Sequence, residues 1–172
     1  MRDIDLRFII LGMGNREWHD ALLRYEAMYP DRLKVVLRSD NTMAHRIYAG
    51  VDTFLMPSKY EPCGLGQLIA MRYGTVPIVR KTGGLADTVR DIDEDTVNGT
   101  GFTFTEYTPE ALFNAVAKAA DIFSSPDHTR WSSIMKNCMC RDFSWKNSAR
   151  KYEELYSHLA EKGRSRDLAD TG

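Results

Sequence analysis

Residues 53–79 read TFLMPSKYEPCGLGQLIAMRYGTVPIV and place a strand, a loop, a helix and a second strand in immediate succession. Thr53 to Met56 is a short apolar run typical of a buried strand, and Val76 to Val79 is another. The stretch from Gly64 to Tyr73 between them is predicted as a helix. Strands and helices joined by short connections indicate a parallel sheet with helices on its faces.

The same alternation continues on both sides of this stretch. Apolar runs and helical spacing predict strands at 6–11, 33–37, 53–56, 76–79 and 101–104, and helices at 18–28, 41–49, 64–73, 108–123, 127–140 and 144–159. The pattern predicts an α/β fold with a parallel, Rossmann-like sheet, helices on both faces and several helices at the end. We expect one domain over residues 1–160, a surface loop at 91–101 and a polar tail at 161–172.

Composition excludes several classes of protein. The 172 residues are 43% apolar and 27% charged with a net charge of −1, which is ordinary for a globular domain and offers no basic stripe for nucleic acid. No apolar run is long enough to span a membrane, and no signal peptide is recognisable. The cysteines Cys63, Cys138 and Cys140 lack metal-ligand spacing, so we expect reduced thiols and no metal site.

The loop before the third helix combines groups that suit a sugar nucleotide. Glu61 offers a carboxylate for polar recognition, and Pro62 restricts the backbone around it. Gly64 allows the backbone to approach a ligand closely. A following helix N-terminus directs free N–H groups at whatever fills the loop, and this suits a phosphate. The alternative is an ordinary loop punctuated by Gly and Pro.

Other nucleotide-binding motifs are absent. Gly12-Met13-Gly14 follows the first strand, but the third glycine of a dinucleotide fingerprint would stand at position 17, which is Glu17. We therefore interpret these glycines as a tight turn. No P-loop sequence occurs either.

The run Ser58-Lys-Tyr-Glu-Pro-Cys-Gly-Leu65 resembles the signature loop of bacterial glycogen synthases and plant starch synthases. The resemblance extends through three further stretches, His45 to Gly50, Arg72 to Val89 and Asp142 to Trp145, in family order. These enzymes are retaining glycosyltransferases with two Rossmann-like domains, and this chain resembles the C-terminal half of one. We therefore expect this chain to share their fold and to take part in their chemistry.

The resemblance implies a function and a set of site residues. It implies transfer of glucose from ADP-glucose to the non-reducing end of an α-1,4-glucan with retention, without a cofactor. Glu61 is expected to orient the donor glucose and to stabilise charge near the reacting carbon. The expected donor-binding positions are Pro62, Cys63, Gly64, Leu65, Gly66 and Ser39. The implied partners are the sugar nucleotide, the glucan acceptor and a missing N-terminal catalytic domain, in the bacterial cytoplasm or in a plastid.

Two positions depart from the family pattern. Gly66 stands where relatives often have Thr, and Ser39 stands where they often have an aromatic residue that stacks on adenine. The basic stretch that holds the diphosphate in relatives is also absent, so we expect this fragment to be inactive alone. Two alternatives stay open: a non-catalytic regulatory or partner domain that keeps the fold, and a retaining glycosyltransferase of another substrate class.

Several other residues are interpreted structurally. Lys81 is expected in a turn into the next helix and not on the ligand. His45 is expected to be buried and hydrogen-bonded. Aromatic side chains near the end of the chain are expected in a helical core: Trp131, Phe143, Trp145 and Tyr152.

Overall fold

The computed structural model describes residues 4–169, and it describes side chains for residues 4–160. Strands and helices alternate through most of this range, as predicted. The elements are β1 Phe8–Leu11, α1 Arg16–Met28, β2 Leu33–Val36, α2 Asn41–Gly50, β3 Thr53–Met56, α3 Gly66–Arg72, β4 Val76–Arg80, α4 Gly83–Thr88, β5 Phe102–Phe104, α5 Pro109–Phe123, α6 Thr129–Cys140 and α7 Trp145–Ala169.

The five strands form two parallel sheets. β1 pairs with β2 with Phe8 opposite Leu33. β4 lies between β3 and β5, with Thr53 opposite Val76 and Ile78 opposite Phe102. The predicted parallel α/β class is confirmed. The predicted sheet is divided, because β1 and β3 are not hydrogen-bonded to each other.

The hydrophobic core surrounds β4. Val76 and Val79 are fully buried, as expected for a central strand of a parallel sheet. Helices α3 and α6 pack together, and α5 packs against β4 and β5. Trp131 of α6 is 5% exposed and stacks on Phe102, so its predicted place in the core is confirmed.

Two helix starts show why the sequence folds locally as it does. Asp40 caps α2 by accepting a hydrogen bond from the Met43 N–H at 2.9 Å, which also lowers the pKa of its carboxyl group. Thr108 caps α5 through the Ala111 N–H at 3.2 Å, and Pro109 occupies the first turn. Both caps lie where the sequence predicts helix starts.

The stretch predicted as a surface loop, residues 91–101, is partly buried. The Asp91 carboxylate accepts hydrogen bonds from the Thr103 N–H at 2.6 Å, the Thr103 hydroxyl at 2.8 Å and the Asp93 N–H at 2.9 Å. Asp91 and Thr100 are both buried. The acidic pattern misled the prediction because a carboxylate with several N–H and O–H donors can be buried at low cost.

The chain divides into two compact units, residues 1–140 and 141–172. In the second unit α7 continues past Leu159 to Ala169, over most of the predicted polar tail, whose last three residues lie outside the described part. Trp145 is 87% exposed and Tyr152 is 60% exposed, and Phe143 is also exposed. Their predicted burial is therefore wrong. The predicted domain limit at residue 160 stays a prediction.

Over the residues that the structure describes, no helix combines the length and apolar character needed to cross a bilayer.

Candidate functional site

The loop between β3 and α3, residues 57–65, follows the carboxyl end of β3, which is an edge strand of its three-stranded sheet. Gly64 has a φ of +72°, which a residue with a side chain rarely adopts. The helix therefore begins at Gly66, with Leu65 as its N-cap, and not at Gly64 as predicted. The loop ends in a turn that depends on this glycine.

Gln67, the second residue of α3, lies beneath the loop and is fully buried. Its Nε2 donates to the Gly64 carbonyl at 2.8 Å, to the Thr88 hydroxyl oxygen at 3.1 Å and towards the Cys63 carbonyl at 3.4 Å. These bonds draw the loop carbonyls inward. The Oε1 of the same Gln67 side chain is buried and has no hydrogen-bond partner among the described residues.

The paired glycines of α4 press against the loop from a second direction. The Gly84 N–H donates to the Glu61 carbonyl at 3.0 Å. A Cβ added to Gly84 would lie 1.9 Å from the Cys63 carbonyl oxygen, and one added to Gly83 would lie 2.1 Å from that of Glu61. The predicted turn at Lys81 is thus observed, and its two glycines permit a backbone contact that no other residue allows.

Arg80, the last residue of β4, contacts the start of the loop. Its Nη1 donates to the Lys59 carbonyl at 2.7 Å, and its Nε donates to the Thr105 carbonyl at 3.0 Å. The guanidinium carbon lies 5.4 Å from the centre of the Tyr107 ring, a cation–π contact. The loop is therefore fixed by α3, α4 and β4 together.

The loop carries polar groups that have no partner in the described part of the chain. The half-buried Glu61 carboxylate makes no hydrogen bond or ion pair with any described residue, and neither Lys59 nor Arg72 pairs with it. The amide N–H groups of residues 64–66 also have no acceptor in the described part of the chain. Pro62, Cys63 and Leu65 are exposed beside them.

The space beside Gly66 is filled by an aromatic ring. A Cβ on Gly66 would lie 2.9 Å from Phe54 Cε1 and 3.3 Å from the Tyr48 hydroxyl oxygen. The ring of Tyr48 packs edge-on against Phe54 with centroids 5.1 Å apart. A side chain at position 66 would therefore displace the Phe54 ring, and the loop presents only backbone there.

Ser39 lies apart from this loop in sequence, between β2 and α2. It is exposed and follows the carboxyl end of its strand. No contact in the described residues joins its side chain to the loop at 57–65. Its predicted part in donor binding stays a prediction.

Three further residues were singled out from the sequence. The Lys81 ammonium pairs with the Glu94 carboxylate, away from the loop. His45 is hydrogen-bonded as predicted, through Nδ1 and the Tyr73 hydroxyl at 3.0 Å, but it is exposed, so its predicted burial is wrong. Among the free thiols, Cys63 and Cys140 are exposed and Cys138 is buried.

Gln67 is the site residue that the sequence prediction missed. A signal for it exists, because Gln67, Ala70 and Met71 occupy one face of α3 at the spacing of a buried stripe. A lone glutamine in such a stripe indicates a buried amide that needs hydrogen-bond partners. Arg80 and Gly84 carry no comparable local signal, since they meet the loop only in the fold.

Comparison with known proteins identifies relatives along nearly the whole chain. Residues 1–132 match the family described as glycosyl transferases group 1. The glycogen synthase of Geotalea daltonii is 50% identical over 160 residues, which cover 92% of this chain and 33% of that protein. The glycogen synthase of Desulfitobacterium hafniense is 46% identical over 156 residues, which cover 91% and 33%. The chain thus spans about a third of the length of these relatives.

Solved structures agree with this relationship. The catalytic domain of starch synthase IV from Arabidopsis thaliana, bound to ADP and acarbose, matches with a TM-score of 0.77 at 37% identity, covering 88% of this chain and 32% of that one. Sucrose-phosphate synthase from Thermosynechococcus elongatus matches with a TM-score of 0.58 at 24% identity, covering 90% and 38%, and shows the fold alone. The resemblance to glycogen and starch synthases is confirmed, and the chain belongs to the glycosyl transferases group 1 family.

Proposed function

We propose that this chain is the donor-binding part of a glycogen or starch synthase, which transfers glucose from ADP-glucose to the non-reducing end of an α-1,4-glucan with retention. The observation that carries the proposal is the state of Glu61. Its carboxylate is unpaired in a loop whose backbone is fixed on three sides. A rigid loop with a free carboxylate is prepared for a ligand, because little order is lost on binding.

Each part of the donor has a matching group in this proposal. The Glu61 carboxylate accepts hydrogen bonds from glucose hydroxyls and stabilises positive charge at the anomeric carbon. The free amides of residues 64–66 donate to the diphosphate, and α3 adds a small dipole contribution over its seven residues. Ser39 lies near the base only by analogy with relatives. The glucan acceptor and a further catalytic domain are part of the same proposal.

The choice of adenine comes from the relatives and not from a base pocket in this chain. The starch synthase IV structure that this chain resembles contains ADP. Base recognition in this chain lacks an aromatic side chain at Ser39, so we expect weaker discrimination between ADP and UDP than a stacking residue would give.

A non-catalytic partner domain is the second candidate. Phe54 fills the space beside Gly66 and removes room for the hydroxyl that relatives often place there. A domain that had lost donor binding would keep the fold and the fixed loop but would not distinguish ADP-glucose from free glucose or buffer.

Isothermal titration of the chain with ADP, ADP-glucose and UDP-glucose tests the proposal. We expect ADP-glucose to bind more tightly than ADP, and Glu61→Ala to remove this advantage while leaving ADP binding unchanged. A carboxylate hydrogen bond contributes about 1.5–3 kcal/mol, so the expected loss is about 10- to 150-fold in ADP-glucose affinity.

Glu106→Ala is the matched control, since Glu106 is an exposed carboxylate outside the loop and its replacement changes the net charge equally. If both variants weakened ADP-glucose binding equally, the effect of Glu61→Ala would come from the change in net charge and not from a hydrogen bond to glucose. Absence of nucleotide binding by the unmodified chain at millimolar concentration would favour the partner domain.

A further inference from the structure

A phenol hydroxyl lies beside the end of the loop at 57–65, where α2 packs next to α3. It belongs to Tyr48, near the end of α2. A Cβ added to Gly66 would lie 3.3 Å from the Tyr48 hydroxyl oxygen. One carbon–carbon bond adds about 1.5 Å, so this oxygen lies within about 5 Å of the Gly66 Cα. The hydroxyl therefore borders the amides of residues 64–66.

The ring of Tyr48 is held in place by aromatic contacts. Its centroid lies 5.1 Å from that of Phe54 in an edge-on arrangement, and 6.3 Å from that of Tyr73 with nearly parallel planes. The His45 ring lies 6.2 Å away and is also edge-on. Rotation of the ring about its own axis does not move the hydroxyl oxygen, so the packing of the ring is enough to fix the position of this oxygen.

The Tyr48 hydroxyl makes no hydrogen bond with any residue that the structure describes, whereas the neighbouring Tyr73 hydroxyl is bonded to His45 Nδ1 at 3.0 Å. Tyr48 is half-buried, but its hydroxyl oxygen stays accessible to solvent. Tyrosine hydroxyls in largely buried positions usually find a partner. The hydroxyl is therefore a fixed polar group that is free to bind a molecule from outside the protein.

The protonation state of Tyr48 suits an anion. Burial raises the pKa of the Tyr48 phenol above its ordinary value, because the charged form is poorly solvated there. The phenol therefore keeps its proton at neutral pH and acts as a hydrogen-bond donor. It lies next to backbone N–H groups, which are donors as well, so the two kinds of group can share one acceptor-rich ligand.

We propose that the Tyr48 hydroxyl is a further donor-binding group of this site and donates a hydrogen bond to the diphosphate that the amides of residues 64–66 hold. This inference rests on the proposed function, since the diphosphate is the ligand proposed there. A phosphate group carries several strong acceptor oxygens and can accept from an amide and from a hydroxyl together. A hydrogen bond to a charged acceptor is stronger than one between neutral groups.

The same contact gives a reason for glycine at position 66. A Cβ there would come 2.9 Å from Phe54 Cε1 and would also approach the Tyr48 hydroxyl. A larger side chain would compete with the ligand for the space next to this hydroxyl. Gly66 therefore leaves the hydroxyl of Tyr48 accessible, and the polar side chain of this part of the site comes from α2 instead of from the loop.

Tyr48 and Glu61 hold different parts of the sugar nucleotide in this scheme. The Glu61 carboxylate accepts hydrogen bonds from glucose, whereas the Tyr48 hydroxyl donates to the diphosphate. Loss of the Tyr48 hydroxyl should weaken the binding of ADP and of ADP-glucose by the same factor. Loss of the Glu61 carboxylate should weaken the binding of ADP-glucose alone. The ratio of the two affinities therefore distinguishes the two contacts.

Isothermal titration of Tyr48→Phe with ADP and ADP-glucose tests the inference. Phenylalanine keeps the ring and its aromatic contacts and removes only the oxygen. We expect both ligands to bind at least about tenfold more weakly, which is the lower end for a hydrogen bond to a charged group, with the ratio of their affinities unchanged. Tyr73→Phe is the matched control, because it removes the neighbouring hydroxyl that is bonded to His45. This control should bind both ligands as the parent does.

Urea unfolding checks that the Tyr48 hydroxyl acts on the ligand and not within the fold. The midpoint of Tyr48→Phe should equal that of the parent, and a lower midpoint would overturn the inference, since the hydroxyl would then be bonded inside the protein. Unchanged ADP affinity in Tyr48→Phe, or equal weakening in Tyr73→Phe, would also overturn it, and the proposed function would stand if Glu61→Ala still removed the advantage of ADP-glucose. Absence of ADP binding by the unmodified chain would overturn both.

Discussion

Gly84→Ala is the sharpest test of how the loop at 57–65 is fixed. The new Cβ would lie 1.9 Å from the Cys63 carbonyl oxygen and 2.5 Å from its carbonyl carbon. Both are backbone atoms, so no flexible side chain can move aside. Gly84 does not have a positive φ, and the substitution therefore adds steric pressure without backbone strain.

The magnitude follows from the distances. The Cys63 carbonyl must retreat by at least 1.1 Å to reach the 3.0 Å below which real Cβ contacts are not found. Such a shift costs about 1–3 kcal/mol in overpacking. Loss of the bond from Gly84 to the Glu61 carbonyl adds about 1 kcal/mol. The smaller entropy of the unfolded alanine chain returns about 0.4–1 kcal/mol. We expect a net loss of about 1–4 kcal/mol in the free energy of unfolding.

Urea unfolding followed by circular dichroism measures this loss as a lower midpoint at unchanged slope. Gly12→Ala is the matched control, because no atom lies within 4 Å of its added Cβ and its φ is not positive. We expect that variant to be neutral or slightly stabilised. If Gly84→Ala also stayed within about 0.5 kcal/mol of the parent and bound ADP equally well, the contact between α4 and the loop would not be what fixes the loop.

Two further predictions concern buried polar groups outside the loop. Burial raises the pKa of the Cys138 thiol to about 12, so the free energy of unfolding should fall between pH 9 and pH 12, where the unfolded chain releases a proton that the folded chain keeps. Cys138→Ala should flatten this fall. Thiol labelling should modify Cys63 and Cys140 before unfolding and Cys138 only after it. Asp91→Asn should lower the free energy of unfolding, measured in urea, by about 1–3 kcal/mol, because an amide N–H would face the N–H and O–H donors of Thr103. An unchanged midpoint would mean that the buried carboxylate contributes nothing to stability.

The sequence predicts the element order well because apolar runs and helix caps are local signals. The helix starts predicted near Asn41 and near Pro109 are confirmed, with Asp40 and Thr108 as the caps. The start of α3 was misplaced by two residues because Gly64 adopts a positive φ and ends the loop instead of beginning the helix. The exposure of Trp145 and Tyr152 was not predictable, since spacing shows that residues share a face and not whether anything covers it.

The candidate site was predictable in position but not in construction. A free carboxylate, a proline and two glycines after a strand indicate a ligand loop from the sequence alone. Its rigidity comes from Gln67, Arg80 and Gly84, which reach it from three elements. Such contacts depend on the tertiary fold, and only the buried polar position of Gln67 leaves a trace in the helical pattern.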